Sequence, residues 1–194
     1  ARLRIACLST YTYTRGLDRL VDLAVTLKAR GQESFLFVMA GKMALTRSLP
    51  GLLGEIGRRG GSLKDYAKAR GVGHMFQFLG FTPAPEQVLA GCDLLAKPTR
   101  ENNPWGRDIL EALASGKPVL SVGEYDRFVE DGVTGVLQAR FDAEILAERL
   151  MAFEADRSAL QRMGEVARQR IAILCDGPAR AAQLVDMWQE IAQR

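Results

Sequence analysis

The feature that most constrains this chain is a hydrophobic period that keeps changing. Short runs of consecutive apolar residues alternate with segments whose apolar residues recur every three or four positions. The first run is LRIACL, at Leu3–Leu8. It is followed at residues 17–30 by a helical stripe of Leu17, Leu20, Val21, Ala24, Val25 and Leu27, closed by Gly31. SFLFVMA, at 34–40, reads as a second strand that stops at Gly41-Lys42. The same reading predicts strands over 74–79, 93–97, 118–122 and 135–138. It predicts helices over 62–70, 82–90, 106–114, 143–153, 158–174 and 179–193. Ser62 and Asp65 have the spacing of a capping box. Pro83 and Pro85 fall near a helix start, where a missing N–H costs little. Residues 42–61 hold Pro50, Gly51, Gly54, Gly57, Gly60 and Gly61, so a mobile loop is expected there.

Strands alternating with helices require parallel crossovers, and strands apolar along their whole length are buried on both faces. The expected fold is therefore α/β: a Rossmann-like parallel sheet of about six strands, helices on both faces, and further helices at the C-terminal end. With 47% hydrophobic and 25% charged residues in 194, the chain has material for one sizeable core. We expect one domain over 1–194, with 175–194 as a terminal helix. The chain opens on Ala1 without a Met, and it is expected to be a piece of a longer protein.

Other classes are disfavoured. The net charge of +3 is spread without a Lys/Arg block, which argues against a nucleic-acid partner. A solvated mixed surface is the simpler account, with weak attraction to phosphates or anionic lipid as the alternative. Cys7, Cys92 and Cys175 are scattered and suit thiols in a reducing compartment. The longest strongly apolar run, at 35–40, is too short to span a bilayer, and no signal peptide is visible. A cytoplasmic protein is expected, with peripheral membrane association of the longer protein left open. His74 has no Cys or His neighbour and is given a structural or surface role. No Gly-x-Gly-x-x-Gly follows the first strand, which disfavours a dehydrogenase.

In an open α/β sheet, ligands bind beyond the carboxyl ends of the strands. That selects the loops at 10–16, 41–49, 99–106 and 123–126. The third begins RENNPWGRDILEAL, at 100–113. Its Gly106 can start a helix whose free N–H groups and positive dipole end suit an anion.

The ordered series Phe78-Leu79-Gly80, Cys92-Asp93, Pro98-Thr99, Pro104-Trp105-Gly106, Glu111-Ala112-Leu113-Ala114-Ser115-Gly116-Lys117-Pro118-Val119 and Asp131-Gly132-Val133-Thr134-Gly135-Val136-Leu137 carries a resemblance. From about Leu3 to its end, the chain resembles the C-terminal, nucleotide-sugar-binding half of a GT-B glycosyltransferase of the retaining family 4 type. The resemblance implies a nucleotide-diphosphate sugar as donor substrate, no cofactor and no metal. It also implies an N-terminal acceptor-binding domain, missing from this chain, without which the half is expected to be inactive. Donor contacts are expected at Thr10, Arg15, Gly41, Asn103, Pro104, Trp105, Gly106, Arg107 and Glu111, with Asn103, Arg15 and Glu111 as the catalytic set.

The departures from the family pattern are specific. Asn103 stands where the family has the first of two acids, and Glu101 lies two residues early. Arg15 takes the place of a diphosphate-binding Lys, and Thr10 that of an Arg. Arg107 is a replacement for the lost charge, or else a surface partner of Glu111. The 123–126 loop is expected to touch the donor sugar through its backbone, and Tyr11 and Tyr13 either pack or stack on the ligand. The alternative to an enzyme half is a degenerate GT-B domain serving as a non-catalytic binding or assembly module. A nucleotide-sugar epimerase of the same fold is a weaker reading, since it needs acids and a His not found here.

Overall fold

Six parallel strands form one sheet in the computed structural model, which describes residues 2–193. They are β1 (Leu3–Leu8), β2 (Phe35–Ala40), β3 (Phe76–Gly80), β4 (Leu94–Lys97), β5 (Val119–Val122) and β6 (Gly135–Gln138). Their order is β3-β2-β1-β4-β5-β6. The sheet thus grows outward in both directions from the β1–β4 pair, where Ile5 faces Leu94 and Ala6 faces Leu95. That pair is the topological switch point, and a crevice opens outside its carboxyl ends.

Helices cover both faces because the inner strands are largely apolar on both, whereas the edge strand β3 leaves Gln77 and Leu79 exposed. Ile5, Cys7, Phe35, Phe37, Met39, Leu94 and Ala96 point into one core, with α1 (Asp18–Ala29), α3 (Leu63–Ala69) and α6 (Ala143–Ala155). Ala6, Val38 and Leu95 alternate into the other. There they meet α4 (Pro85–Ala90), α5 (Arg107–Ala114) and α7 (Arg157–Leu174). Phe37, Phe76 and Phe78 stack with centroids 5.0 and 5.8 Å apart and close the β2–β3 edge. The capping box holds: the Asp65 carboxylate accepts from both the amide and the hydroxyl of Ser62, at 2.8 Å each.

Two expectations are corrected. The segment at 42–61 contains a helix, α2 (Gly51–Arg58), rather than a mobile loop throughout. Its glycines are not breakers; they are places of close approach. A Cβ at Gly54 would lie 2.0 Å from the Leu49 carbonyl oxygen, and one at Gly57 would lie 2.3 Å from that of Thr46. The strand expected from His74 starts at Phe76, and His74 sits in a short 3-10 turn, Gly73–Met75. There it pairs with Glu33 at the surface, the structural role assigned to it.

The last helix, α8 (Gly177–Ala192), buries no residue and leaves Leu184, Met187, Trp188 and Ile191 exposed on one stripe. Among the described residues, no helix is long and apolar enough to cross a membrane.

Candidate functional site

The crevice at the switch point is a cavity of about 520 Å³. Its walls begin where β1 ends. Gly41 brings the end of β2 against that of β1: its φ is 139°, and a Cβ there would lie 2.2 Å from the Ser9 carbonyl oxygen. The β1–α1 loop then curls back. The Arg15 guanidinium donates to the Ser9 hydroxyl at 3.0 Å and to the Thr10 carbonyl at 3.3 Å, which fixes the cation at the cavity wall.

A buried ion pair ties this loop to the one after β4. Asp18, in the first turn of α1, is 3% exposed. Its two oxygens accept from Arg100 at 2.9 and 2.5 Å. The same guanidinium lies 3.9 Å over the Tyr13 ring and donates to the Tyr13 carbonyl at 2.7 Å. The Tyr11 phenol reaches Asp18 at 3.4 Å. Burial, and then the Asp18 charge, push that phenol well above its usual range, so it stays a donor. The Arg100 amide donates to the Thr14 carbonyl at 2.7 Å, and Arg19 donates to the Thr99 carbonyl at 2.6 Å. Tyr11 and Tyr13 therefore have packing roles here.

The second wall is the turn entering α5. Asn102 adopts φ 44°, and its Oδ1 accepts from the Glu124 amide at 2.7 Å. Pro104 is buried against Gly123, where a Cβ would meet its ring at 2.5 Å. Gly106, at φ 140°, then starts α5 with its amino end toward the cavity. Lys97, the last residue of β4, reaches under this turn. It donates to the Trp105 carbonyl at 2.6 Å and to the Asp108 carboxylate at 3.0 Å.

Of the residues singled out in the sequence, Thr10, Arg15, Gly41, Asn103, Gly106, Arg107 and Glu111 all line the cavity, and so does Glu101. Pro104 and Trp105 do not. Pro104 serves as a wedge behind the turn, and Trp105 faces solvent with only its carbonyl engaged. The 123–126 loop does not line the cavity either; it buttresses the turn from outside. The Arg107 side chain is 92% exposed and sits 3.6 Å from Glu111, the surface pairing that was its alternative. Asn103 Oδ1 is buried without a partner, an acceptor left for a donor from a ligand. Sequence reasoning missed Lys97, Asp108, Asp18 and Arg100, and it passed over Phe81 and Thr82 from the β3–α4 loop and Pro85 at the start of α4, which also line the cavity. One signal was available for Lys97: it is a lone charge closing an apolar run.

Cys7 lies on the cavity floor, and burial, followed by the Asp108 charge, pushes its thiol up to about 12. Burial also raises Cys92, whereas Cys175 is exposed. A thiolate is the reactive form. Titration of the native chain with an aromatic disulfide at neutral pH is therefore expected to modify one thiol quickly, Cys175. Rapid modification of Cys7 as well would mean the cavity opens in solution. Among the described residues, no cluster of His, Cys, Asp or Glu could hold a metal ion.

The fold is a doubly wound parallel sheet in which a cation, a helix amino end and a carboxylate converge on a cavity at the switch point. The chain belongs to the glycosyl transferases group 1 family, whose model matches residues 2–170. No curated protein matches its sequence. Among solved structures, it is similar to Anabaena HepE in complex with UDP, with a TM-score of 0.80 and 21% identity over 97% of this chain and 49% of that one. WaaG, a glycosyltransferase involved in lipopolysaccharide biosynthesis, superposes with a TM-score of 0.71 and 21% identity, covering 94% of this chain and 46% of that one. The C-terminal domain of the Francisella tularensis group 1 protein LpcC gives a TM-score of 0.68 and 19% identity over 88% of this chain and 85% of that domain. The chain thus spans about half the length of the first two, and its fold is that of one half of a GT-B glycosyltransferase.

Proposed function

We propose that this chain is the donor-binding, C-terminal half of a retaining glycosyltransferase, with a nucleotide-diphosphate sugar as its donor. The observation that carries this reading is the switch-point cavity. It places Arg15, the amino end of α5 and Glu111 around one volume large enough for such a ligand. Arg15 and the N–H groups of α5 suit the diphosphate. Glu111 suits paired ribose hydroxyls, and the orphaned Asn103 Oδ1 suits a sugar hydroxyl. HepE structures hold UDP and UDP-glucose, which supports this ligand class. In the reaction, the anomeric C–O bond to the diphosphate breaks and the diphosphate leaves with the bonding pair. A bond to an acceptor oxygen forms on the same face, and the acceptor's proton passes to an oxygen of the departing diphosphate. The protein's largest contribution is to stabilise the charge growing on the leaving diphosphate.

A second half would bring the acceptor. The exposed apolar stripe of α8 supports that two-domain reading, since such a surface is normally covered. The free thiols suit the cytoplasm as the place of reaction, with the membrane surface as the alternative for the longer protein. One observation favours the rival reading of a non-catalytic module: although Arg107 lines the cavity, its side chain is 92% exposed and pairs with Glu111, so it does not make good the charge missing at Thr10.

Thermal-shift titration with UDP, GDP and ADP separates the two. A nucleotide at about a hundred times its dissociation constant should add roughly 2.7 kcal/mol, a rise of about 5–10 °C for a chain of this size. Glu111→Ala is expected to abolish most of that rise without lowering the ligand-free melting temperature. No rise with any nucleotide at millimolar concentration would favour the non-catalytic module.

A further inference from the structure

Asp108 is an unexpected neighbour for a phosphate. It is the second residue of α5, its carboxylate lines the cavity, and its side chain is 20% exposed. A carboxylate there opposes any anion drawn to the helix end, in a place where solvent screening is weak. Its charge is met by one cation. Lys97 Nζ lies 3.0 Å from Asp108 Oδ1 and also donates to the Trp105 carbonyl at 2.6 Å. Gly106 makes this approach feasible. A Cβ there would stand 2.6 Å from Lys97 Nζ and 2.8 Å from Asp108 Oδ1, so any other residue would push the ammonium out from under the turn.

We infer that Lys97 is a positioning residue of the phosphate site, which cancels the Asp108 charge and pins the Trp105 carbonyl so that α5 can receive a diphosphate. The inference rests on the donor-site reading above. An ammonium has three donors, and two are used within the protein. The Asp108 charge is met by a residue on β4, beneath the turn, while Arg107 pairs with Glu111. Lys97 and Arg15 both line the cavity, so Arg15 is placed to bind the anion while Lys97 removes a repulsion.

The test is calorimetric titration of the chain with whichever of UDP, GDP and ADP binds, alongside the matching nucleoside without phosphates. Lys97→Met is expected to weaken the diphosphate by about ten-fold or more, since it exposes a full opposing charge, and to leave nucleoside affinity unchanged. Adding Asp108→Asn to Lys97→Met should restore most of the loss. Asp108→Asn alone should tighten diphosphate binding a few-fold, and this arm stands even where Lys97→Met does not fold. Equal losses for nucleoside and diphosphate, a loss that Asp108→Asn does not relieve, or an Asp108→Asn protein that binds no tighter would each overturn the inference. A wild-type chain that binds no nucleotide overturns the donor-site reading and this inference together. A wild-type chain that binds while Lys97→Met binds equally well overturns this inference alone.

Discussion

Arg100→Leu is expected to lower the stability of the chain by about 3 kcal/mol, because it strands a carboxylate where water does not reach. Asp18 is almost wholly buried, and both of its oxygens are met by the Arg100 fork. Without the guanidinium, only the distant Tyr11 hydroxyl remains among the side-chain partners described. The substitution also removes the cation lying over Tyr13, a contact worth about 0.5–1 kcal/mol. A fall of roughly 6–12 °C in melting temperature follows for a protein of this size. Asp18→Leu combined with Arg100→Met should recover much of the loss, since replacing a buried pair by apolar side chains is often neutral. The effect also reaches the site. Arg100 anchors the Tyr13 and Thr14 carbonyls, the two residues just before the Arg15 that lines the cavity. Amide exchange over residues 12–16 should therefore speed up in Arg100→Leu more than exchange in β5 does. A melting shift below about 2 °C, or uniform exchange, would mean the pair is not what fixes that loop.

Most of the fold was legible because it is encoded locally. LRIACL and SFLFVMA are apolar on both faces and became central strands, and Gly31 follows α1 at the position its stripe required. The helix α2 was not legible. Gly54 and Gly57 look like breakers to a reader of propensities, yet their function is to admit the 46–49 backbone, and that neighbour is a tertiary fact. The site divides in the same way. Arg15, Gly106 and Glu111 belong to contiguous motifs, so they could be named in advance. The Asp18–Arg100 pair spans 82 residues, and no spacing rule reaches across that gap. Lys97 and Asp108 meet because a strand end and a helix start share one end of the sheet, which the pattern implies only after strand order is known.

Gly164→Ala sets two principles against each other, and their magnitudes decide the outcome. Gly164 lies inside the 18-residue helix α7, where replacing glycine by alanine gains about 1 kcal/mol from propensity alone. But α7 crosses the turn between α5 and β5 at this point. A Cβ at Gly164 would lie 2.1 Å from the Gly116 carbonyl oxygen, 3.0 Å from its carbon and 3.5 Å from the Pro118 ring. Gly116 cannot easily yield. It holds a left-handed φ of 67° at the end of α5, its amide bonds the Leu113 carbonyl at 3.0 Å, and the next amide bonds that of Ala112 at 2.8 Å. Relief therefore means moving α7 away from α5, which opens the core where Ala167 and Ile171 face Ile109 and Leu113. Overpacking of this kind costs about 1–3 kcal/mol, so the net expectation is a lower melting temperature despite the better helix former. Gly177→Ala supplies the control: nothing lies within 4 Å of a Cβ there, and its melting temperature should hold or rise. Because α5 carries Glu111 and the turn proposed to receive the diphosphate, Gly164→Ala should on that reading also weaken nucleotide binding, although the residue is remote from the cavity. If Gly164→Ala melts higher than wild type, the close crossing of α5 and α7 is wrong, and so is the rigid placement of the turn that depends on it.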